Sequence, residues 1–386
     1  MSSPQTISES QSGNPTRQFY EWEQRGRGWQ VFDLPVVPEP PYVPFPGYYV
    51  VPSTDDGRRQ TLLSGLLDQA FALLTSRRRE EKTGIVVEEP ESNDIGSNAA
   101  SYILTHEIQI CLPSTFQVSK EVCEQFFLSL AYCAHPLAFE IIGLPNSIIV
   151  QLIVSESDLS QAQSQLSAHF PEASISVQSN FLKTSWRSVE SFEETAVVDL
   201  GLSREFMLPL AVSRKFDPDP FVGIMGAMTD LKEGEIALFQ VVFQPVRSPW
   251  AESVLRAVML PDGTPFFMND SDFVSQTKEK LAKPLYAAVV RIAVRSNRDE
   301  RSGQIAKALA GSLSIFKNPS GNELIPLEND EEYDPKDHEE DLLLRRSRRS
   351  GMLLNSDELI SLVHLPSDSV RTEKLNRRAK KTKAAP

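Results

Sequence analysis

Cysteine, histidine and long hydrophobic runs are all scarce in this sequence. The three cysteines, Cys111, Cys123 and Cys133, are odd in number, form no C-x-x-C pair and fall within apolar patterns, which indicates buried, reduced thiols. No apolar stretch approaches the roughly 20 residues that a membrane-spanning helix needs. The polar start, Met1-Ser-Ser-Pro-Gln, does not resemble a secretion signal. We therefore expect a cytoplasmic protein without a membrane span.

The motifs that mark common catalytic and cofactor sites are also missing. The chain contains no G-x-x-x-x-G-K-[ST] phosphate loop, no G-x-S-x-G elbow and no H-E-x-x-H zinc motif. Cys133-Ala-His135 is better explained by a buried thiol beside a helix-ending His-Pro than by a metal ligand or nucleophile. Asp217-Pro-Asp219-Pro is better explained by a rigid turn than by a catalytic carboxylate pair. We predict a non-catalytic chain that holds no cofactor or metal and does not hydrolyse ATP by itself.

Composition and charge describe a folded protein with an unusual end. The 386 residues, 40% hydrophobic and 24% charged, suit two or three modules with linkers. The net charge of −13 is uneven: residues 328–344 hold nine acidic and one basic group, whereas residues 345–386 hold eleven basic and four acidic ones. This basic tail is either a solvated linker or a non-specific DNA contact. The candidate contacts are Arg345, Arg346, Arg348, Arg349, Arg377, Arg378, Lys380 and Lys381.

The N-terminal part of the chain precedes any regular alternation of patterns. Residues 1–18 are polar and predicted to be disordered. In residues 19–101, aromatic residues interleaved with prolines over 19–49 predict an extended arm packed on a domain, or else a ligand for a proline-binding partner. An amphipathic helix over 61–79 and a polar linker follow.

The remaining chain predicts an α+β fold. Residues 102–180 show the pattern β-α-β-β-α-β, which is that of a ferredoxin-like module. A related module is expected in residues 181–327, where the role of 181–231 cannot be assigned, followed by an acidic, solvated linker over 328–344. Residues 345–386 then hold a short helix, with a capping box at Asn355 and Glu358, and the basic tail. The expected architecture is two ferredoxin-like modules with an extended, proline- and aromatic-rich N-terminal arm and a basic C-terminal tail.

Two parts of the sequence resemble a known family. Met352-Leu-Leu-Asn-Ser-Asp-Glu-Leu-Ile-Ser-Leu-Val-His-Leu-Pro366 is similar to the segment just ahead of the P-loop domain in HerA-like and conjugative coupling or type IV secretion ATPases. Asp219-Pro-Phe-Val-Gly, the stretch from Leu238 and Pro249-Trp-Ala-Glu resemble the front halves of the same proteins. The resemblance covers roughly residues 200–386. It implies a ring-forming DNA or DNA–protein translocase whose front domains dock partners or line the entrance.

The chain ends where the family's nucleotide site would begin, so the resemblance transfers no catalytic residue. Either a separate chain supplies the motor or this chain is one half of a longer protein. A short apolar helix next to the basic tail is expected to need a partner to cover it. We therefore predict that the P-loop ATPase docks on Leu353, Leu354, Leu359, Ile360, Leu362 and Val363.

The main hypothesis is a non-catalytic scaffold and partner-docking subunit, or N-terminal segment, of a HerA-like DNA translocase. It would belong to a hetero- or homo-oligomer in conjugation, secretion or antiviral defence. The alternative is a stand-alone ferredoxin-like nucleic-acid-binding module that uses sheet aromatics and the basic tail, although the strands of the first module are aliphatic. An enzyme without a recognised signature is a third reading, and fold alone decides none of them.

Overall fold

The computed structural model describes residues 15–45, 102–189, 195–212, 218–259, 271–298, 300–329 and 333–377. These residues all belong to one compact unit. The amphipathic helix predicted over 61–79 and the linker after it lie outside the described residues, as does most of the start predicted to be disordered.

Helices and strands alternate along the described chain. The helices are α1 (Pro15–Glu23), α2 (Lys120–Ser129), α3 (Leu159–His169), α4 (Phe181–Arg187), α5 (Phe221–Thr229), α6 (Trp250–Val258), α7 (Ser271–Leu281), α8 (Arg301–Ser312), α9 (Pro335–Leu344) and α10 (Ser356–Val363). The strands are β1 (Val31–Val36), β2 (His106–Cys111), β3 (Leu137–Gly143), β4 (Ile148–Val154), β5 (Ser174–Ser179), β6 (Ala196–Leu202), β7 (Glu235–Pro245), β8 (Leu285–Ser296), β9 (Leu324–Pro326), β10 (Ser347–Arg349) and β11 (Met352–Asn355). The predicted α+β class is confirmed.

One antiparallel sheet organises the described residues. It has nine strands in the order β5-β2-β4-β3-β7-β8-β6-β9, with β11 added on β8. Within each of the two sets β2 to β5 and β6 to β9, the strands lie in the order fourth, first, third, second when counted from the outer edge of the sheet inward. We call these two sets the first and second repeat. They meet where β3 pairs with β7, with Phe139 opposite Val241.

Helices cover one face of this sheet with an apolar core. Helices α2, α3, α5, α8 and α10 contribute the buried side chains Phe126, Leu166, Phe221, Leu309 and Leu359, which pack with inward-facing residues of both repeats. Strands β3 and β4 are buried at every position, and Ile148–Val154 therefore reads as an almost continuous apolar run rather than an alternating one. We call this side of the sheet the helical face.

The second face of the sheet is also covered. Leu182 and Trp186 of α4 and Leu342 of α9 pack there against Ile142 and Leu238. The expectation of a solvated loop over 328–344 is therefore wrong for 335–344, which form α9. Asp334 caps this helix through the Lys336 N–H, with proline at its start. The acidic composition hid Leu342 and Leu343, which pack against the sheet.

The N-terminal arm packs on the same body. Phe19 and Trp22 are buried, and Trp22 contacts the rings of Phe45, Phe206 and Trp250. Further along, β1 pairs antiparallel with β10. The packing interpretation of the aromatic and proline-rich arm therefore fits the residues up to 45, while residues 46–49 lie outside the described part. In the described residues, no helix is long and apolar enough to cross a membrane.

Candidate functional site at the C-terminal segment

The six residues predicted to dock a partner lie inside this chain's own core. Leu353 and Leu354 belong to β11, which pairs with β8, and the other four belong to α10, which packs on α2. None of the six side chains is more than 1% exposed: Leu353, Leu354, Leu359, Ile360, Leu362 and Val363. The prediction of an uncovered apolar face is wrong, because the sheet and α2 supply the covering surface that we assigned to a partner.

A row of buried polar residues explains where two arginines of the predicted tail, Arg345 and Arg349, lie. Gln151, Glu140, Gln240, Arg291 and Asp199 lie directly opposite one another on five neighbouring strands. Each is at most 1% exposed. Gln151 Nε2 and Gln240 Nε2 donate to Glu140 at 2.7 and 2.8 Å, and Arg291 Nε donates to Asp199 at 2.7 Å. This polar row crosses both repeats on the second face.

Arg345 closes the first-repeat half of the polar row. Its guanidinium donates to Glu140 Oε1 at 2.9 Å and also binds Glu107. Both carboxylates are fully buried, and Arg345 is 4% exposed. Burial lowers the pKa of the guanidinium, but Glu140 and Glu107 outweigh it and the pKa is raised. Arg345 is therefore a buried structural cation, and its assignment as a DNA contact is wrong.

In the second-repeat half, two further basic side chains lie within ion-pair distance of Asp199. Arg349 Nε lies 3.3 Å and His338 Nε2 3.2 Å from Asp199 Oδ2. Burial alone would raise the pKa of Asp199, but Arg291 and His338 outweigh it and lower the pKa below its ordinary value. Arg349 is 4% exposed, so its assignment as a DNA contact is also wrong.

The other predicted DNA contacts divide into two groups. The backbone carbonyl of Arg346 accepts a hydrogen bond from the Arg291 guanidinium at 2.5 Å. Arg348 forms ion pairs with Asp337 and Asp341 at 2.9 and 3.2 Å. The Arg377 guanidinium donates to the carbonyls of Pro113, Ser367 and Val370. All three are half-buried, and Arg348 and Arg377 already serve contacts within the chain. Arg378, Lys380 and Lys381 lie outside the described residues.

The sequence did not predict the contact between Asp219 and His364. Asp219 lies just before α5, and His364 follows α10. Asp219 Oδ1 is 2.8 Å from His364 Nε2 and accepts the Phe221 N–H at 2.8 Å, while Oδ2 accepts the Ser367 N–H at 2.8 Å. The Phe221 ring stacks on the imidazole with centroids 3.9 Å apart and planes 6° apart. Both side chains of the pair are fully buried.

The partners of Asp219 and His364 hold both side chains in place. His364 Nε2 faces the carboxylate, and Nδ1 lies 3.0 Å from the Ile360 carbonyl, so both ring nitrogens lie at hydrogen-bond distance from an acceptor. Burial would raise the pKa of Asp219, but His364 and the two N–H donors lower it overall. The pair is a buried latch between the start of α5 and the end of α10.

Residues 364–377, which we call the exit segment, are fastened to both repeats. Leu375 forms a parallel bridge with Ile148 at the start of β4, and Ile148 N–H donates to the Lys374 carbonyl at 2.6 Å. Lys374 Nζ donates to the Leu231 carbonyl of the second repeat at 3.2 Å. Between the exit segment and α5 lies a groove of about 530 Å³. The C-terminal end of the described chain is therefore held by residues of both repeats.

The candidates for a reactive group among the described side chains around the exit segment are the Cys123 thiol and any cluster of metal ligands. Burial raises the pKa of the Cys123 thiol to about 12, so that it stays protonated at neutral pH. No cluster of three or more metal-ligating side chains occurs within the described ranges. What the arrangement can do is fix the path of the chain that leaves the sheet.

Comparison with known proteins gives little beyond this geometry. Residues 118–285 match the family described as "Domain of unknown function (DUF8128)", a range that runs from just before α2 to the start of β8. No curated protein matches the chain. Similar solved structures include xylooligosaccharide oxidase from Myceliophthora thermophila C1 in complex with xylobiose, at 11% identity over 72% of this chain, with a TM-score of 0.29. A Cas6 (TTHB231) product complex matches at 11% identity over 58% of this chain and 100% of that one, with a TM-score of 0.17.

The chain spans 56% of the length of the oxidase that it matches. Both TM-scores are too low for either structure to support an argument about fold or activity.

Proposed function

We propose that this chain is the front, pre-motor portion of a HerA-like DNA translocase, or a separate non-catalytic subunit of one. In this role it is a cytoplasmic scaffold that holds a P-loop ATPase, of the ring-forming kind, in a fixed orientation. Conjugation, secretion and antiviral defence are settings that fit this role equally.

The observation that carries the proposal is the contact between Asp219 and His364. The resemblance to pre-motor segments rests on two stretches, one beginning at Asp219 and one containing His364, which are 145 residues apart in sequence. The carboxylate and imidazole of these two stretches form a buried pair, and Phe221 stacks on the same imidazole. A chance match of two short motifs has no reason to bring them together, whereas one shared structural unit does.

Strand order supports the two-module architecture within this proposal. Each repeat runs β-α-β-β-α-β along the chain and lies in the order fourth, first, third, second in the sheet. That is the arrangement of a split β-α-β unit, the ferredoxin-like motif. The second repeat differs in carrying α6 and α7 between its middle strands. We propose that the chain is two such modules joined edge to edge through β3 and β7.

The scaffold role follows from how the exit segment is held. Its backbone and side chains contact β4 of the first repeat and residues around α5 of the second, so Arg377 has a fixed position relative to the sheet. An ATPase that follows or binds the exit segment would inherit that position. With the six apolar residues of β11 and α10 in the core, the exit segment replaces them as the proposed docking element.

The alternative, a nucleic-acid-binding module, finds less support. Recognition by a ferredoxin-like sheet needs an open face on which bases stack. Here β3 and β4 are buried throughout, and the second face carries α4 and α9. Arg345 and Arg349, two of the proposed phosphate contacts, face buried carboxylates instead.

Affinity purification with a co-expressed HerA-like ATPase from the same genome tests the proposal. His364→Ala removes the latch and frees the exit segment, so we expect the ATPase to be lost. His338→Ala is the matched control, because it removes another buried imidazole paired with an aspartate, on the second face. Both variants should lose similar stability in thermal melts, and only the first should lose the ATPase. Equal retention by both variants rejects the exit segment as the docking element. Failure of the parent chain to retain the ATPase rejects the translocase assignment.

A further inference from the structure

The two outer edges of the sheet are built differently. At the second-repeat end, β9 has three residues, and Pro326 has no N–H to donate to a further strand. At the first-repeat end, β5 has six residues, all paired in unbroken register with β2, from Ser174 opposite Cys111 to Ser179 opposite His106. One edge is short and blocked, and the other is long and regular.

The outer side of β5 lacks the features by which proteins protect an edge strand. No described strand pairs with it, and residues 176–179 are exposed. Its sequence, SISVQS, contains no charged residue and no proline, and its pairing contains no bulge. Edge strands of monomers usually carry a lysine, a proline or a bulge that prevents pairing with another chain.

We propose that two copies of this chain pair through β5, antiparallel and about a two-fold axis. An uncharged strand meets no like-charge repulsion when it faces itself, so the same six residues can serve both sides of an isologous contact. Pairing of β5 with β9 of another copy would match six residues with three, one of them proline. Self-pairing of β5 is therefore the edge contact that this sheet supports best, and it closes at two copies.

Hydrogen-bond geometry fixes the register of the pair to two choices. In an antiparallel ladder only every second residue of an edge strand points its N–H and C=O outward. Outward-facing residues of one copy must lie opposite outward-facing residues of the other, so one residue faces its own counterpart on the axis. For a strand centred between Ser176 and Val177, that residue is one of these two. Either choice keeps five of the six residues paired.

The size of the contact sets the expected strength. Six residues a side is well below the roughly 20–30 residues a side of a stable interface. We therefore expect a concentration-dependent dimer rather than a permanent one. The inference does not depend on the proposed translocase role, since it concerns the outer edge of the sheet and not the exit segment.

Sedimentation velocity over a concentration series of the full chain tests the proposal. The parent chain should shift from monomer to dimer. Val177→Lys should weaken the dimer about tenfold, because the two lysines lie opposite or diagonal to each other. Ser167→Lys, which adds the same charge at an exposed position of α3, should behave as the parent. Val177 is already 37% exposed, so its replacement should leave the thermal melt unchanged.

Disulfide trapping adds a geometric test. Of Ser176→Cys and Val177→Cys, the variant whose cysteine lies on the two-fold axis should form a covalent dimer under mild oxidation. Ser167→Cys should not. The parent chain reports any background from Cys111, which is the partly exposed native cysteine. A parent chain that stays monomeric throughout, or a dimer that Val177→Lys leaves intact, would overturn the proposal.

Discussion

The two faces of the sheet reach the same degree of burial by different chemistry. The helical face is covered by aliphatic and aromatic side chains of helices such as α2, α5 and α8, and it tolerates small adjustments of shape. The second face carries the polar row, whose charges are closed by Arg345, Arg349 and His338. Apolar contacts are non-directional, whereas buried charges must each find a specific partner. The second face therefore fixes where the 333–349 segment lies, although it need not add more stability.

The largest expected loss of stability comes from removing Arg345, the cation that neutralises two buried carboxylates of the second face. Arg345→Met keeps much of the side-chain volume but leaves Glu107 and Glu140 buried together without their cation. Breaking a buried ion pair from one side costs about 3–5 kcal/mol. We expect a loss of that size in the free energy of unfolding, measured by urea denaturation.

A triple variant, Arg345→Met with Glu107→Gln and Glu140→Gln, serves as the control for Arg345→Met. It removes the uncompensated charges and should recover a large part of the loss. If the single variant is nearly as stable as the parent chain, the carboxylates are solvated or protonated and the account of the second face is wrong.

Acid should destabilise the second face more than the helical face, by a smaller amount than the loss of Arg345. The folded-state pKa of Asp199 lies below the ordinary value of 3.8, so its contribution to stability is complete above about pH 4 and is lost as the pH falls below that value. Because this low pKa keeps Asp199 ionised in the folded state, acid favours the opened state, in which the carboxylate has its ordinary pKa and takes up a proton. Opening of α9, which carries His338 beside Asp199, should then become easier, and its amide protons should exchange faster.

Hydrogen exchange measured near pH 4 and near pH 3 tests this difference. After correction for the intrinsic exchange rate, protection should fall more in α9 than in α8, which packs on the helical face. Equal loss of protection in both helices would mean that acid destabilises the molecule as a whole, with no preference for the second face.

The sequence predicted most elements but not the polar row or the latch. Periodicity located the order β-α-β-β-α-β in residues 102–180, where β2 to β5 lie with α2 and α3, because hydrophobic patterns follow local geometry. Composition was misleading at residues 335–344, where acidic residues concealed the apolar side of α9. A lone Glu140 in a buried apolar strand was a usable signal, since a charge at such a position needs a buried partner. No local pattern revealed which residue that partner was.

The docking prediction and the assignment of Arg345 and Arg349 as DNA contacts failed for one physical reason. Each treated the residues after 344 as an appendage, and a helix or a charge run was judged by its own surface alone. Pairing of β11 with β8, and of Arg345 with Glu140, joins positions far apart in sequence. Asp219 and His364 are a similar case: both lay within the stretches that resemble the translocase family, yet their contact depends on the tertiary fold.

The smallest expected loss of stability comes from the ion pair of Arg348 with Asp337, which is partly exposed to water. Arg348 is 19% exposed and pairs with Asp337, which is 44% exposed, and with Asp341. Water screens the pair with Asp337, whereas Asp341 is only 6% exposed, so it is the Arg348–Asp337 pair that contributes about 0–1 kcal/mol. Asp337→Asn should therefore lower the free energy of unfolding by no more than about 1 kcal/mol, and added salt should shrink the difference.

The Arg348–Asp337 pair and the pairs of Arg345 belong to the same segment, so burial is the main variable that separates them. A loss from Asp337→Asn as large as that from Arg345→Met would show that the whole arginine cluster acts as one network. The distinction between the buried row and its solvated rim would then be wrong. A small, salt-sensitive loss would instead show that burial, rather than charge, decides which arginines hold the 333–349 segment on the sheet.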